Sequence, residues 1–264
     1  MQTLPDVQSY ADARNMSINQ VGVTKVPWSF RFAPTSESTA EAQSTIGSVD
    51  MFVALPADQK GTHMSRFVQV LLEHDQPLNY ATLTELFGRM RERLGASQVC
   101  GTLRFPFVVH RAAPVTGELG MLQLDVCIEI ELGEENRIRT TIAGPATSLC
   151  PCSKEISAYG AHNQRCELKA SVEFASGCEA GVDELFSMLE KAASCSVFPT
   201  LKRADEKNVT EAAYDNPKFV EDIVRDMAVI LNEDDRIAWY RCSSENFESI
   251  HQHNAYAQIE SSRS

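Results

Sequence analysis

Apolar and polar residues alternate so regularly along two stretches of the chain that each reads as a strand with one buried face. From Leu122 to Leu132 the even positions are Leu122, Leu124, Val126, Ile128, Ile130 and Leu132, with Gln123, Asp125, Glu129 and Glu131 between them. A second series, Leu168, Ala170, Val172 and Phe174, is set against Lys169, Ser171 and Glu173. A period of two sends successive side chains to opposite faces, and a polar second face marks an antiparallel sheet. Gly133-Glu134-Glu135-Asn136 predicts a turn into a following strand near 137–142. Further strands are expected over 17–32, 47–55, 103–110, 237–243 and 249–259.

Helical spacing comes in pairs. Leu83, Leu86, Phe87, Met90 and Leu94 share one face, with Thr82 and Glu85 as a capping box and Gly95 at the end. A shorter helix is expected over 64–73. The second half repeats the pattern over 182–193 and 217–231, where Asn216 would cap and Pro217 would occupy the first turn. The order strands, two helices, strands therefore occurs twice. It predicts an α+β chain of two modules, 1–133 and 134–264, each a four-stranded antiparallel sheet with two helices on one face. The halves share no visible sequence identity, so the duplication rests on element order.

Composition adds exclusions. The 264 residues are 43% hydrophobic and 23% charged, as in an ordinary globular protein. No run approaches the ~20 apolar residues of a membrane span. The first residues lack the basic and apolar regions of a secretory signal, so a cytoplasmic location is expected. A net charge of −12 argues against a nucleic-acid surface. It still permits a small anionic substrate, because a few cations focused in a cleft can override the global sign. The eight cysteines are scattered, as buried packing residues would be rather than a disulfide framework. No G-x-x-x-x-G-K-[ST] phosphate loop is present.

One string carries chemistry. TSLCPCSKEISAYGAHNQR (147–165) places Cys150 and Cys152 two positions apart and His162 twelve beyond Cys150. A thiolate and an imidazole suit a borderline divalent cation. No second tight pair supplies a closed four-ligand structural site, so three protein ligands with an open position fit better. Cys152 could be a fourth ligand, a spare or a core residue. Two unrelated core residues would also give Cys150 and His162. In SIHQHNAYA (249–257), His251 and His253 fall on one face if the segment is a strand. They read either as exposed strand residues or as proton carriers suited to neutral pH.

These strings, with KRADEKNVTE (202–211), NPKFVED (216–222), LPDVQ (4–8), INQVGV (18–23) and LPADQKGTHMSRF (55–67), resemble type IB GTP cyclohydrolases, prokaryotic first enzymes of folate synthesis. The resemblance spans most of the chain. It implies the tunnelling fold, two tandem modules per chain, and a homotetramer with active sites between subunits. It implies hydrolysis of GTP to 7,8-dihydroneopterin triphosphate and formate, begun by metal-activated water attacking guanine C8. Cys150, His162 and Glu206 are the implied metal ligands, Asp205 being a near neighbour of the last. His251 and His253 are the implied proton carriers, and Glu221 the carboxylate gripping the guanine N1/N2 edge. Lys60, His63, Arg66, Arg165, Lys202 and Arg203 are candidates for the triphosphate. A carboxylate in place of a second thiolate hardens the site, so Mn²⁺ or Fe²⁺ is expected to compete with Zn²⁺. Two other readings are a tunnelling-fold NADPH-dependent nitrile reductase, whose E-[SL]-K-[SA]-x-K signature is missing here, and a non-catalytic metal-stabilised purine- or pterin-binding module. An archaeal-type relative that releases a cyclic phosphate product is not separated by sequence.

Overall fold

The protein is described by a computed structural model covering residues 6–35 and 42–262. The chain folds as two compact units. The first takes the described residues up to 105 together with 127–139, and the second takes 106–126 and 140–262. The expected boundary at 133/134 falls inside the 127–139 segment of the first unit.

In the first unit β1 (Ile18–Phe32) pairs antiparallel with β2 (Gln43–Leu55), and β2 with the start of β3 (Val99–Ala112). Two helices connect β2 to β3, α1 (Met64–Leu72) and α2 (Tyr80–Leu94). Leu83, Leu86, Phe87 and Met90 of α2 are all buried, as their spacing predicts. The helix starts earlier than expected. Asn79 is the cap, and Thr82 is its reciprocal partner, with Thr82 N–H donating to Asn79 Oδ1 at 2.9 Å and Asn79 N–H to Thr82 Oγ1 at 2.8 Å. Gly95 closes α2 in the left-handed region at φ 61°. Gly101 lets α2 settle on the sheet, since a Cβ there would meet the Phe87 ring at 2.4 Å.

The strand β4 (Leu119–Leu132) follows β3, and Val126, Ile128, Ile130 and Leu132 are buried while Asp125, Glu129 and Glu131 are exposed. The turn at 133–136 leads into β5 (Arg137–Leu149). In the second unit the order continues β5, β6 (Asn163–Phe174), β8 (Ile237–Asn246), β9 (Ala255–Ser262), each pair antiparallel. A two-residue strand β7 (Cys195–Ser196) also pairs with β5. Helices α4 (Val182–Glu190) and α6 (Val220–Glu233) supply Leu185, Phe186, Leu189, Ile223, Met227 and Leu231 to the core. Gly144 repeats the device of Gly101, with Phe186 2.4 Å from where its Cβ would stand. Strands, helices and strands thus recur in the order expected, an α+β arrangement of antiparallel strands carrying helices.

Three local expectations are corrected. The last long helix begins at Val220 with Phe219 as cap, not at Pro217. Asn216 instead ends an additional helix, α5 (Arg203–Asp215), and its side-chain amide donates to the carbonyls of Ala193 and Ser194 at 3.0 and 3.2 Å. The periodicity conceals α5 because only Asp205 and Ala213 on it are buried. Finally, 249–254 is a loop, and β9 starts only at Ala255. Among the described residues no helix is long and apolar enough to cross a membrane.

Candidate metal and proton-transfer site

The ends of β5 and β6 bring Cys150 and His162 face to face. Leu149 pairs with Asn163 in the ladder, and one step further the Cys150 N–H donates to the His162 carbonyl at 3.1 Å. The residues between them form a short helix, α3 (Pro151–Ile156), and a turn. Cys150 caps this helix, and the Ser153 N–H approaches its sulfur at 3.5 Å. Ser153 Oγ ties the two together, donating to the Cys150 carbonyl at 3.1 Å and accepting from the His162 N–H at 3.2 Å. The extended geometry considered for Cys152 does not occur, because the chain turns into α3 at Pro151 and leaves Cys152 exposed.

Two of the other thiols are excluded by burial. Desolvation pushes the Cys166 thiol up to about 12 and the Cys242 thiol up to about 11, so both stay protonated packing groups near neutrality. All eight cysteines are free, and Cys150 is half-buried, reachable without being solvent-swept.

The His162 ring is held from one side. Its Nδ1 lies 2.9 Å from Gln164 Oε1 and 3.3 Å from Ser249 Oγ. The Gln164 amide reaches on to Glu248 Oε1 at 3.5 Å. These contacts draw the β8–β9 loop beside His162. His251 and His253 sit on that loop, not on a strand, yet their rings stack with centroids 5.2 Å apart and planes 13° from parallel. Both are exposed. Gln164, Glu248 and Ser249 escaped the sequence reading, although a polar residue two positions after His162 at a strand start falls on the same face.

Helices α5 and α6 begin alike, each with an aspartate consumed by capping and a neighbouring glutamate left available. Asp205 is fully buried and surrounded by donors. It accepts from the Val115 and Thr116 N–H groups, each at 2.9 Å, from Thr116 Oγ1 at 2.7 Å and from the Lys202 N–H at 2.9 Å. Burial pushes its carboxyl up, but the Thr116 hydroxyl and the three backbone donors outweigh this and hold it well below the usual carboxylate range. Asp222 accepts from the Phe219 N–H at 3.0 Å. Glu206 and Glu221 are exposed, with no side-chain partner among the described residues.

Glu206 is not brought to the Cys150–His162 pair. The far end of α5 and the chain just beyond it meet neighbours of that pair: Lys154 Nζ donates to the Tyr214 carbonyl, and Lys218 N–H to the Leu149 carbonyl at 3.0 Å. Glu206 stands near the opposite end of the helix, about 12–15 Å along its axis at ~1.5 Å per residue. Accordingly, among the described residues no three His, Cys, Asp or Glu side chains gather in metal-binding geometry.

The basic candidates divide. Arg165 and Arg203 are exposed and make no side-chain ion pair among the described residues. Lys202 Nζ pairs with Glu118. In the first unit Lys60 is exposed, His63 Nε2 lies 3.2 Å from Asp6, and Arg66 donates to the Arg93 carbonyl at 3.4 Å. That unit also holds an open cavity of about 680 Å³ lined by Asn19, Gln20, Phe52, Gln98, Cys100 and Glu131. Glu134 and Glu135 border it as well, a poor setting for a triphosphate. Its one thiol, Cys100, is pushed up by burial and by the nearby Glu131.

A family profile described as type I GTP cyclohydrolase FolE2 matches residues 4–257. The chain belongs to the type I GTP cyclohydrolase FolE2 family. Among its relatives, GTP cyclohydrolase FolE2 of Dichelobacter nodosus is 44% identical, with 97% of each chain covered. The protein of the same name from Ralstonia nicotianae is 47% identical over 97% of this chain and 94% of the relative. GTP cyclohydrolase FolE2 2 of Cupriavidus metallidurans is 48% identical at the same coverage. Of solved structures, uricase from Arthrobacter globiformis matches with a TM-score of 0.53, covering 93% of each chain at 12% identity. That likeness shows the fold, which is the tunnelling fold of the expected class.

Proposed function

We infer that this chain is a GTP cyclohydrolase of type IB, which converts GTP and water to 7,8-dihydroneopterin triphosphate and formate at the start of folate synthesis, in the cytoplasm. The observation that carries the reading is the facing pair Cys150 and His162 in a chain related over its whole length to proteins named GTP cyclohydrolase FolE2.

The donor set suits a divalent cation. Cys150 offers a half-buried sulfur with one weak N–H contact, and His162, engaged at Nδ1, keeps Nε2 open. When bound, the cation supplies Lewis acidity and brings the pKa of water toward neutrality. The chain's own groups do the rest. Glu221, freed from capping by Asp222, accepts the N–H pair of the guanine N1/N2 edge and fixes the base. His251 and His253 carry protons to N7 and through ring opening, formate release and the sugar rearrangement that closes the pterin ring. Lys60, His63, Arg66, Arg165, Lys202 and Arg203 are assigned to the triphosphate. Glu206 completes the metal site from a neighbouring copy, because within one chain α5 holds it at the wrong end; the assembly is a homotetramer.

Two experiments test this. Metal-stripped protein reloaded separately with Mn²⁺, Fe²⁺ or Zn²⁺ should release formate and a pterin that fluoresces after oxidation. Stoichiometric binding without product from GTP would overturn the activity. Co-expressed Cys150→Ala and Glu206→Ala chains should regain activity in mixed oligomers, since one class of site then carries both native ligands. Inactive mixed oligomers would place all three ligands in one chain.

A further inference from the structure

We propose that Gln164 is a positioning residue that fixes the His162 ring as its Nδ1–H tautomer, and that Glu248 in turn fixes Gln164. The inference rests on His162 acting as a metal ligand, but its first element concerns the ring alone.

An ionised carboxylate can only accept hydrogen bonds. The Gln164 group facing it at 3.5 Å is therefore the NH₂, and a flipped amide would set carbonyl oxygen against carboxylate oxygen. With its NH₂ so committed, Gln164 turns its carbonyl oxygen to His162 Nδ1 at 2.9 Å. An acceptor at that distance requires a proton on Nδ1, which leaves the lone pair on Nε2. Ser249 Oγ, at 3.3 Å from the same nitrogen, is a hydroxyl that can donate or accept and so does not choose a tautomer. Gln164 is 7% exposed, and among the described residues its carboxamide meets these two side chains. Buried carboxamides are retained where both ends are satisfied. Such outer partners orient ligating imidazoles and typically contribute about 10–100-fold in metal affinity.

The test uses full-length protein with ¹⁵N-labelled histidine, kept metal-free and above the imidazole titration range. Wild type should show His162 as one neutral tautomer, protonated at Nδ1. Gln164→Leu, similar in volume, should shift the ring toward the Nε2–H form and weaken Zn²⁺ binding about 10–100-fold in chelator competition. The exchange Gln164→Glu with Glu248→Gln keeps an acceptor toward Nδ1 and a donor between the two side chains. It should restore both the tautomer and the affinity. Thermal unfolding of each variant reports fold loss separately. A wild-type ring protonated at Nε2, or an unchanged tautomer in Gln164→Leu, would overturn the proposal. The expected tautomer with Zn²⁺ affinity indifferent to His162→Ala would leave the ring lock standing and remove the metal reading beneath it.

Discussion

Cys150→Ala is expected to abolish metal binding and turnover together while leaving the chain folded. The side chain is half-buried and makes one weak contact within its own helix cap. Its truncation should change stability by no more than about 1 kcal/mol, the scale of a lost cap. The chemical loss is much larger. Disturbing partners outside the ligand shell already costs metal sites about 10–100-fold, and removing a ligand should exceed this, so turnover should fall by at least about 100-fold. Metal stoichiometry, formate release and a melting curve on the same preparation check all three parts. Normal metal content with retained activity would refute the site. A collapsed melting curve would instead make Cys150 a structural prop.

Two adjacent acidic residues should fail in opposite ways. Glu206→Gln should melt like wild type and lose metal. Asp205→Asn should keep its ligands yet melt several degrees lower, because an amide would point N–H groups at some of the four donors that converge there. The sign of the acid dependence follows from the lowered carboxyl. A carboxylate depressed in the folded state contributes fully above its unfolded pKa, about 3.9. That contribution fades as pH falls through the folded value. Asp205→Asn should therefore flatten the loss of stability below about pH 4. Denaturant midpoints from pH 2 to 7 would show it. Swapped outcomes, with Asp205→Asn losing metal and Glu206→Gln losing stability, would mean the two roles are assigned the wrong way round.

Much of this was readable in the residues because one face of each sheet is buried and the other wet. The even positions from Leu122 to Leu132 are all apolar, and burial follows them residue by residue. What escaped detection lacked a buried stripe. Helix α5 is held by a capping aspartate and an asparagine at its end, interactions that leave no periodic trace. Its neighbour α6 was placed three residues early because Asn216-Pro217 serves as the stop of one helix, not the start of the next. At the site, the Cys150–His162 pairing follows from strand register, which spacing alone does not fix. Gln164 was invisible for a different reason. A buried carboxamide shows its purpose only once both of its neighbours are known.

The two units are each assembled from two separated stretches of chain, with 106–126 lent forward and 127–139 returned. A single cut therefore cannot leave both units whole. Severing the chain at the 133–136 turn would strand the buried series Leu122, Leu124 and Val126 on the wrong fragment. A frameshift before residue 127 therefore spoils both units at once, since it garbles the returned 127–139 stretch and everything after it, whereas one beyond 139 leaves the residues of the first unit intact.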